Sequence, residues 1–276
     1  MKNLLFTYTL FLIFNFSFAQ TKTDLTEAGL KGKVSFIYCS EFSLVEKFGE
    51  IEKGSLSSKE TYKYDAKGNE IEFNDYTADG SLSHKYIKKY DWKGNMIELN
   101  SYKVYSNYRY KEKFKYDEKG NMIEKNYYWA NGSLSHKSTY KYDWKGNMIE
   151  ENTYNTDGSL SNKSTYKYDE KGNKIEEIYY YADGSFMNKQ TYKTYKYDEK
   201  GNMIEESEAG EEGFGFVSTY RYDEKGNKIE QNHHGSNGRY KFTYKYEFDK
   251  IGNWIKQTTI IDGKPTELSE RVIKYY

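Results

Sequence analysis

The sequence predicts an all-β fold, a repetitive antiparallel β-meander of about sixteen strands in two-strand repeats of about 26 residues. The main observation is a string, Tyr-Lys-Tyr-Asp-x-Lys-Gly-Asn-x-Ile-Glu, that recurs with small variations along the 276-residue chain. The stretches between the recurring turns are rich in Tyr and Thr and alternate with a period of two, which is typical of strands. Sixteen strands at ~4.8 Å spacing would make an open sheet about 75 Å long, which we expect to twist or curl.

Residues 1–19 are expected to be a secretory signal peptide. Lys2 supplies the positive start, Leu4 to Phe14 the apolar run, and Ser17-Phe18-Ala19 a small-x-small cleavage site. The competing interpretation is an uncleaved anchor, but polar residues interrupt the run and it is shorter than the ~20 residues of a membrane span. The short leader resembles those of Gram-negative Bacteroidetes. We therefore expect an exported chain without a transmembrane segment, which is secreted, periplasmic or on the cell surface of a Gram-negative bacterium.

Three parts are expected after the leader. Residues 20–59 hold an N-terminal cap and the first strands, residues 60–257 hold eight repeats, and residues 258–276 form C-terminal capping strands. The two terminal segments are strand-like but lie off the repeat pattern. Stacked repeats need a cap at each end, which is the role that we expect for them.

Each repeat is marked by a turn that begins with Asp and has Gly three residues later and Asn directly after the Gly. The spacing between successive turns is 26 residues, except for one spacing of 29 and one of 25. The turn residues are Asp65, Asp91, Asp117, Asp143, Asp169, Asp198, Asp223 and Asp249. A second turn of the type Ala-Asp-Gly-Ser lies between several of them. Each repeat therefore predicts two strands and two turns.

The turn chemistry limits the hairpin register without settling it. Gly suits a left-handed position that closes a type I turn, and Asp at the turn start can accept hydrogen bonds from nearby backbone N–H groups. A four-residue loop would pair Tyr142 with Ile149 and Lys141 with Glu150, whereas a three-residue loop would pair Lys141 with Ile149. The opposite-charge pair favours the four-residue loop, although the glycine-bulge turn commonly uses three residues.

The unit Tyr-x-Tyr-Asp-x-x-Gly-Asn-x-Ile, followed by Asp-Gly, resembles the YD repeat of the RHS family over roughly residues 60–257. The usual Arg-Leu after Gly is Asn-x-Ile here, which indicates a divergent branch. Large members of that family wind their strands into a hollow shell around a toxin, and many are described as carbohydrate-binding. Eight repeats are expected to be too few to close such a shell, and no toxin-like segment follows them. The resemblance therefore implies an exported binding or surface role.

Composition and charge exclude several classes of protein. The chain has 32 Tyr, but only about a fifth of the residues after the leader are apolar without a hydroxyl, so we expect an ordered sheet with a thin core. The 42 basic and 42 acidic residues are interspersed, which leaves no basic stripe for a nucleic acid. The single cysteine, Cys39, is expected to be half-buried in an early strand.

The sequence indicates no enzyme, cofactor or metal site. His84 and His136 occupy a repeat position that is Asn elsewhere, so we interpret them as solvated strand residues, and His233 and His234 fall in what looks like an irregular loop. No Ser-His-Asp or Cys-His arrangement is suggested. The Asp-x-x-Gly-Asn turn offers one carboxylate and one amide, well short of the six to eight oxygen ligands of calcium.

Aromatic residues are the best candidates for ligand contact. Trp92 and Trp144 directly follow a turn Asp, and an indole at a hairpin tip is expected to be exposed. Five Tyr recur along one row and form a platform suited to a polymer with its own repeat; the alternative is that they only cover the sheet. This row consists of Tyr76, Tyr102, Tyr128, Tyr154 and Tyr180.

These observations predict an exported, non-enzymatic repeat protein. We expect a carbohydrate or cell-wall binding module whose partner is a polysaccharide. The alternative is a structural or protein-interaction scaffold of the cell envelope, whose partner is an envelope protein.

Overall fold

The computed structural model describes residues 23–104, 108–183, 192–209, 215–235 and 238–276, so the predicted leader lies outside the described residues. Helix α1 spans Asp24–Glu27, and no helix in the described ranges is long and apolar enough to cross a membrane. The strands are β1 (Val34–Lys47), β2 (Glu50–Tyr64), β3 (Glu70–Tyr76), β4 (Leu82–Tyr90), β5 (Met96–Lys103), β6 (Tyr108–Tyr116), β7 (Met122–Trp129), β8 (Leu134–Tyr142), β9 (Met148–Tyr154), β10 (Leu160–Tyr168), β11 (Lys174–Tyr181), β12 (Tyr192–Tyr197), β13 (Met203–Ala209), β14 (Phe216–Tyr222), β15 (Lys228–Gly235), β16 (Gly238–Phe248), β17 (Trp254–Ile261) and β18 (Lys264–Tyr275).

The strands form one antiparallel sheet that closes into a barrel. Each described strand pairs with its neighbours in the chain, and β1 pairs with both β2 and β18. The meander is confirmed, and the eight repeats supply the sixteen strands from β2 to β17. The expectation of an open, curled sheet is wrong, because β1 and β18 join its two ends. With 18 strands at ~4.8 Å spacing the circumference is about 86 Å.

Closure has a simple physical reason. An open sheet would leave a row of unpaired backbone N–H and C=O groups along each edge strand. Here the register places Ile37 of β1 between Tyr62 of β2 and Ile273 of β18, so both sides of β1 are paired. The terminal segments that we expected to cap the repeats therefore pair with each other.

The Asp turns use a three-residue loop closed by the Asp and the Asn. In the β8–β9 turn the Asp143 N–H donates to the Asn147 carbonyl at 2.9 Å, and the Gly146 N–H donates to the Asp143 carbonyl at 3.1 Å. Gly146 has φ +90°, a left-handed conformation that favours glycine. The Asp143 carboxylate accepts hydrogen bonds at 2.9 Å from the N–H groups of Lys145 and Asn147 and from the Asn147 side-chain amide. The aspartate side chain therefore stabilises the loop through these three hydrogen bonds.

A β-bulge after each turn resolves the register. Lys141 pairs with Glu150, as the sequence predicted, but Tyr142 pairs with Met148 rather than with Ile149. Ile149 is the extra residue, and 38% of its surface is exposed. The loop thus has three residues, and the bulge restores the opposite-charge pair that we had ascribed to a four-residue loop. The predicted pairing of Tyr142 with Ile149 is wrong.

The Asp turns lie side by side at one end of the barrel, which we call the Asp rim. In six of the strands that lead into an Asp turn, a Tyr hydroxyl donates to a backbone carbonyl next to the previous Asp turn; Tyr142, for example, donates to Met122 at 2.8 Å. The same bond is made by Tyr90, Tyr116, Tyr168, Tyr222 and Tyr246. The second turns, such as residues 155–159, lie at the opposite end.

The sheet has two chemically distinct faces. On one face Glu150 forms ion pairs with Lys141 at 2.7 Å and with Lys163 at 2.6 Å, and the Lys141 side chain is 67% exposed. On the other face the hydroxyl of Tyr166, only 8% exposed, donates to Glu151 at 3.2 Å. Because side chains converge on the concave side of a curved sheet, the more buried face lines the barrel. We call these the outer face and the lining face.

Apolar packing is concentrated where α1 meets the sheet. Leu25, Val34, Ile37 and Tyr64 form the buried cluster. The Leu25 N–H donates to the Gly68 carbonyl at 3.2 Å, which fixes α1 to the first Asp turn. The described residues therefore have the thin core that the sequence predicts.

Cys39 is a free, half-buried thiol in β1, as predicted. It accepts a hydrogen bond from the Arg271 Nε at 3.3 Å. Burial raises the pKa of the thiol above its ordinary value, in opposition to the Arg271 charge, which lowers it. The thiol is therefore held in its protonated form.

The seam between β1 and β18 contains a carboxyl pair. Glu41 lies opposite Ser269, and Glu267 lies opposite Ser43. Burial, together with a hydrogen bond to Glu41, raises the pKa of Glu267 to about 7. The protonated Glu267 carboxyl therefore donates a hydrogen bond to Glu41 at the place where the barrel closes.

This pair predicts a pH dependence of stability. A carboxyl whose folded pKa is raised stabilises the fold below its unfolded pKa of about 4.3, and that contribution is lost as the pH rises through about 7. We expect the thermal unfolding temperature of the wild-type chain to decrease as the pH is raised from 5 to 8. In Glu267→Gln, the same rise in pH should change the unfolding temperature less. The exposed Glu52→Gln on β2 is the control. Equal slopes in wild type and Glu267→Gln would refute this role.

Candidate ligand-contact site

The two predicted Trp lie on the Asp rim and are highly exposed. Trp92 is 80% exposed in the β4–β5 turn, and Trp144 is 84% exposed in the β8–β9 turn. The Nζ atoms of Lys93 and Lys145 lie 5.4 Å from the adjacent indole centroids. Four strand spacings of ~4.8 Å separate the two turns, so the indoles lie about 19 Å apart along the rim. The expected exposure is present, but the two rings do not form one platform.

The predicted Tyr row lies at the other end of the strands. Each of its members is half-buried on the outer face, opposite a Lys of the preceding strand; Tyr154, for example, pairs with Lys137. The row therefore lies on the face of the Lys–Glu pairs. One strand such as β5, from Met96 to Lys103, spans about 25 Å at ~3.3 Å per residue. The Trp pair and the Tyr row are consequently two separate places.

Two members of the row line a cleft on the outer face between β5, β6 and β7, which we call the β5–β7 cleft. Its volume is about 380 Å³. Tyr102 pairs with Arg109 across β5 and β6, and Lys111 pairs with Tyr128 across β6 and β7. The Arg109 guanidinium lies 5.6 Å from the Tyr102 ring centroid, and the Lys113 ammonium lies 5.7 Å from that of Tyr128. Two aromatic rings and three cations thus line the same cleft.

The cleft has a net positive charge. Lys111 lies 3.6 Å from Glu98, which also pairs with Lys89 at 2.9 Å. The hydrogen bond from Asn100, followed by the bond from Lys89, lowers the pKa of Glu98 to about 2, so this glutamate is ionised and already paired. Among the described residues, Arg109 and Lys113 have no carboxylate at ion-pair distance; both are exposed. These two cations are available to a ligand.

The lining face holds a second set of polar side chains that sequence reasoning missed. Glu177 accepts hydrogen bonds from Tyr179 at 2.6 Å, Tyr195 at 3.3 Å and Lys174 at 2.8 Å. Burial, followed by the bond to Glu177, raises the pKa of Tyr179 above its ordinary range. These groups satisfy one another, which points to a structural role. Once the position of the bulge is known, the alternation of side chains along each strand is enough to place these residues on the lining face.

The histidines differ from the sequence interpretation. His84 Nδ1 lies 3.1 Å from Asp75, and His136 stacks on Tyr127 with ring centroids 4.6 Å apart, so neither is simply solvated. His233 and His234 lie in β15 rather than in an irregular loop. Within the described ranges, no three His, Cys, Asp or Glu side chains are grouped closely enough to hold a metal ion.

Comparison with known proteins identifies one family. The model of the Teneurin YD-shell family matches residues 13–261, whereas no curated protein matches the chain. Among solved structures, a porin-like protein from Bacteroides uniformis has a TM-score of 0.47 at 11% identity, covering 88% of this chain and 99% of that one. The TcdB2-TccC3 structure has a TM-score of 0.36 at 12% identity, covering 76% of this chain and 14% of that one. This chain therefore spans only a small part of TcdB2-TccC3.

The exposure of the two Trp predicts that they contribute little to stability. In the double variant Trp92→Ala/Trp144→Ala, we expect the free energy of unfolding to change by less than about 0.5 kcal/mol, because exposed substitutions rarely cost more. Chemical denaturation measures this quantity. A loss above about 2 kcal/mol would show that the indoles pack on something.

Proposed function

This chain belongs to the Teneurin YD-shell family, and we propose that it is an exported, non-enzymatic protein that binds a polysaccharide or cell-wall glycan on the outer face of its barrel. The observation that carries the proposal is the β5–β7 cleft, in which Tyr102 and Tyr128 lie beside donors that a sugar can use. The predicted leader at residues 1–19 supports export.

The cleft chemistry suits a sugar ring. Tyr presents an apolar ring face and a polar hydroxyl, so it can pack against the C–H face of a sugar and still donate a hydrogen bond. Asn100 and Lys111 add polar groups to the same cleft. The Tyr row recurs every second strand, a spacing of about 9.6 Å at ~4.8 Å per strand. A polymer could thus contact several members of the row.

The non-enzymatic part of the proposal rests on residue chemistry. On the outer face, hydrogen bonds from Asn100 and Lys89 lower the pKa of Glu98 to about 2, and bonds from Lys141 and Lys163 lower the pKa of Glu150 to about 2, so both carboxylates are held ionised. A general acid needs a pKa near the working pH. These glutamates are therefore suited to ion pairs rather than to proton transfer.

The test is retention of the mature chain, residues 20–276, on immobilised peptidoglycan and polysaccharides. For a retained glycan we expect Tyr102→Ala/Tyr128→Ala to weaken binding by roughly tenfold, because two aromatic contacts of about 0.5–1.5 kcal/mol each are lost. Tyr102→Phe/Tyr128→Phe keeps the rings and should retain most of the affinity. This variant separates stacking from hydroxyl bonding, and thermal unfolding of each variant controls for the fold.

The Trp double variant provides the second arm. Weaker retention would add the Asp rim to the contact surface, whereas unchanged affinity would remove both Trp from the site. Retention on none of the glycans would contradict the proposal. A scaffold that binds an envelope protein would then be the better function, and crosslinking in the native envelope would seek that partner.

A further inference from the structure

We propose that the β5–β7 cleft selects an anionic glycan, a polymer whose sugars carry carboxylate groups, and that Arg109 and Lys113 are the residues that bind the carboxylates. This inference rests on the proposed glycan-binding function and adds the chemical class of the ligand. It is carried by two cations that depart from the repeat pattern and that are uncompensated in a cleft with two Tyr.

Arg109 and Lys113 depart from the pattern that most other repeats share. Lys113 lies four residues before its turn Asp and pairs with Glu98, just as Thr139 pairs with Glu124 in the next repeat. The corresponding residues elsewhere are Thr61, Ile87, Thr165, Thr194, Thr219 and Lys245. Counted back from the turn Asp, Arg109 corresponds to Ser83, Ser135 and Ser161, and in the sheet the residue opposite the row Tyr is Leu82, Leu134 or Leu160 in those repeats. Thr stands at five of the seven other places that match Lys113, and uncharged residues replace Arg109 in the neighbouring repeats, so the barrel does not need these two cations.

The β5–β7 cleft carries positive charge that no carboxylate of its lining compensates. Its lining residues include Arg109, Lys111 and Lys113 but no carboxylate. Elsewhere on the outer face the described lysines are mostly paired, as Lys137 is with Glu124 at 2.9 Å and Lys163 with Glu150 at 2.6 Å. Unpaired cations in a concave surface attract an anionic partner and raise its association rate.

The two cations lie beside the two Tyr rings of the cleft. Arg109 and Lys113 lie 5.6 Å and 5.7 Å from the ring centroids of Tyr102 and Tyr128, near the outer limit of a cation–π contact of about 6 Å. The rings are therefore only weakly engaged by the cations. A sugar ring packed on Tyr102 would bring its carboxylate within reach of the Arg109 fork, which pairs with carboxylates in a bidentate manner.

The chain contains a matched control, the β14–β16 cleft. This cleft has a volume of about 470 Å³ and is lined by Arg239 and Lys241. Arg239 pairs with His234 as Arg109 pairs with Tyr102. Lys241 is compensated by Glu230 at 3.0 Å, and Asp262 also lines the cleft. It thus offers an Arg and a Lys like the β5–β7 cleft, but its Lys is paired, a carboxylate lines it, and no member of the Tyr row does.

The experiment measures binding of the mature chain to polygalacturonate and to its methyl ester, which has the same backbone without the charge. We expect the acid to bind at least about tenfold more tightly than the ester. Arg109→Ser/Lys113→Thr, which adopts the residues of the neighbouring repeats, should abolish this preference and flatten its salt dependence. The control Arg239→Ser/Lys241→Thr removes the same charge and should leave the preference intact.

Each outcome decides the question. Equal losses in the two double variants would indicate a general charge effect and overturn the assignment of the site. Equal binding of acid and ester by the wild-type chain would overturn the charge selectivity while leaving glycan binding in place. Binding of neither polymer, with retention on none of the immobilised glycans, would overturn the proposed function itself.

Discussion

The pairing of β1 with β18 is the constraint on which the rest of the structure depends. The repeats alone define a sheet with two open edges, and only the terminal strands remove those edges. Closure makes one of the two chemically distinct faces of the sheet the lining of a barrel and the other its outer face. The placement of the Tyr row, the Lys–Glu pairs and the β5–β7 cleft on the outer face follows from that step.

A closed sheet also explains how so small a core suffices. The buried cluster around Leu25 and Val34 is confined to the contact with α1, so most of the described barrel is held by backbone pairing and polar side chains. The Tyr hydroxyl bonds along the Asp rim join six of the turns to the previous one, and the Glu residues between two Lys join three strands. Single exposed ion pairs contribute little. Because the barrel has no free edge and the same contacts recur in many of its repeats, many weak contacts together stabilise it.

Much of this fold could be predicted, because each repeat carries its own local signals. The Asp, Gly and Asn of the turn have hydrogen-bonding and conformational roles that sequence shows directly, and the Lys141–Glu150 pair follows from charge. The bulge at Ile149 could not be predicted, because Ile is compatible with either register. Closure was missed because β1 and β18 lie off the repeat pattern, and no local signal marks two strands so distant in the chain.

The candidate site was predicted in part. The sequence identifies the Tyr row and the exposed Trp as candidate contact residues. However, the Trp directly follow a turn Asp and the row Tyr lie eleven residues after one, so the two groups lie at opposite ends of a strand. Arg109 and Lys113 could not be predicted from the repeat pattern, because they depart from it, whereas the Tyr row consists of residues that the repeats share. Only the cleft showed that these departures meet two members of the Tyr row.

Hydrogen exchange at the seam tests the closed barrel most directly. The β18 amides that face β1 in the paired stretch Leu268–Ile273 are compared with amides of β10 in the middle of the meander. The closed barrel predicts similar protection in both strands, because neither has a free edge. Rapid exchange of the β1-facing amides of β18, with β10 still protected, would show an open sheet and contradict the account.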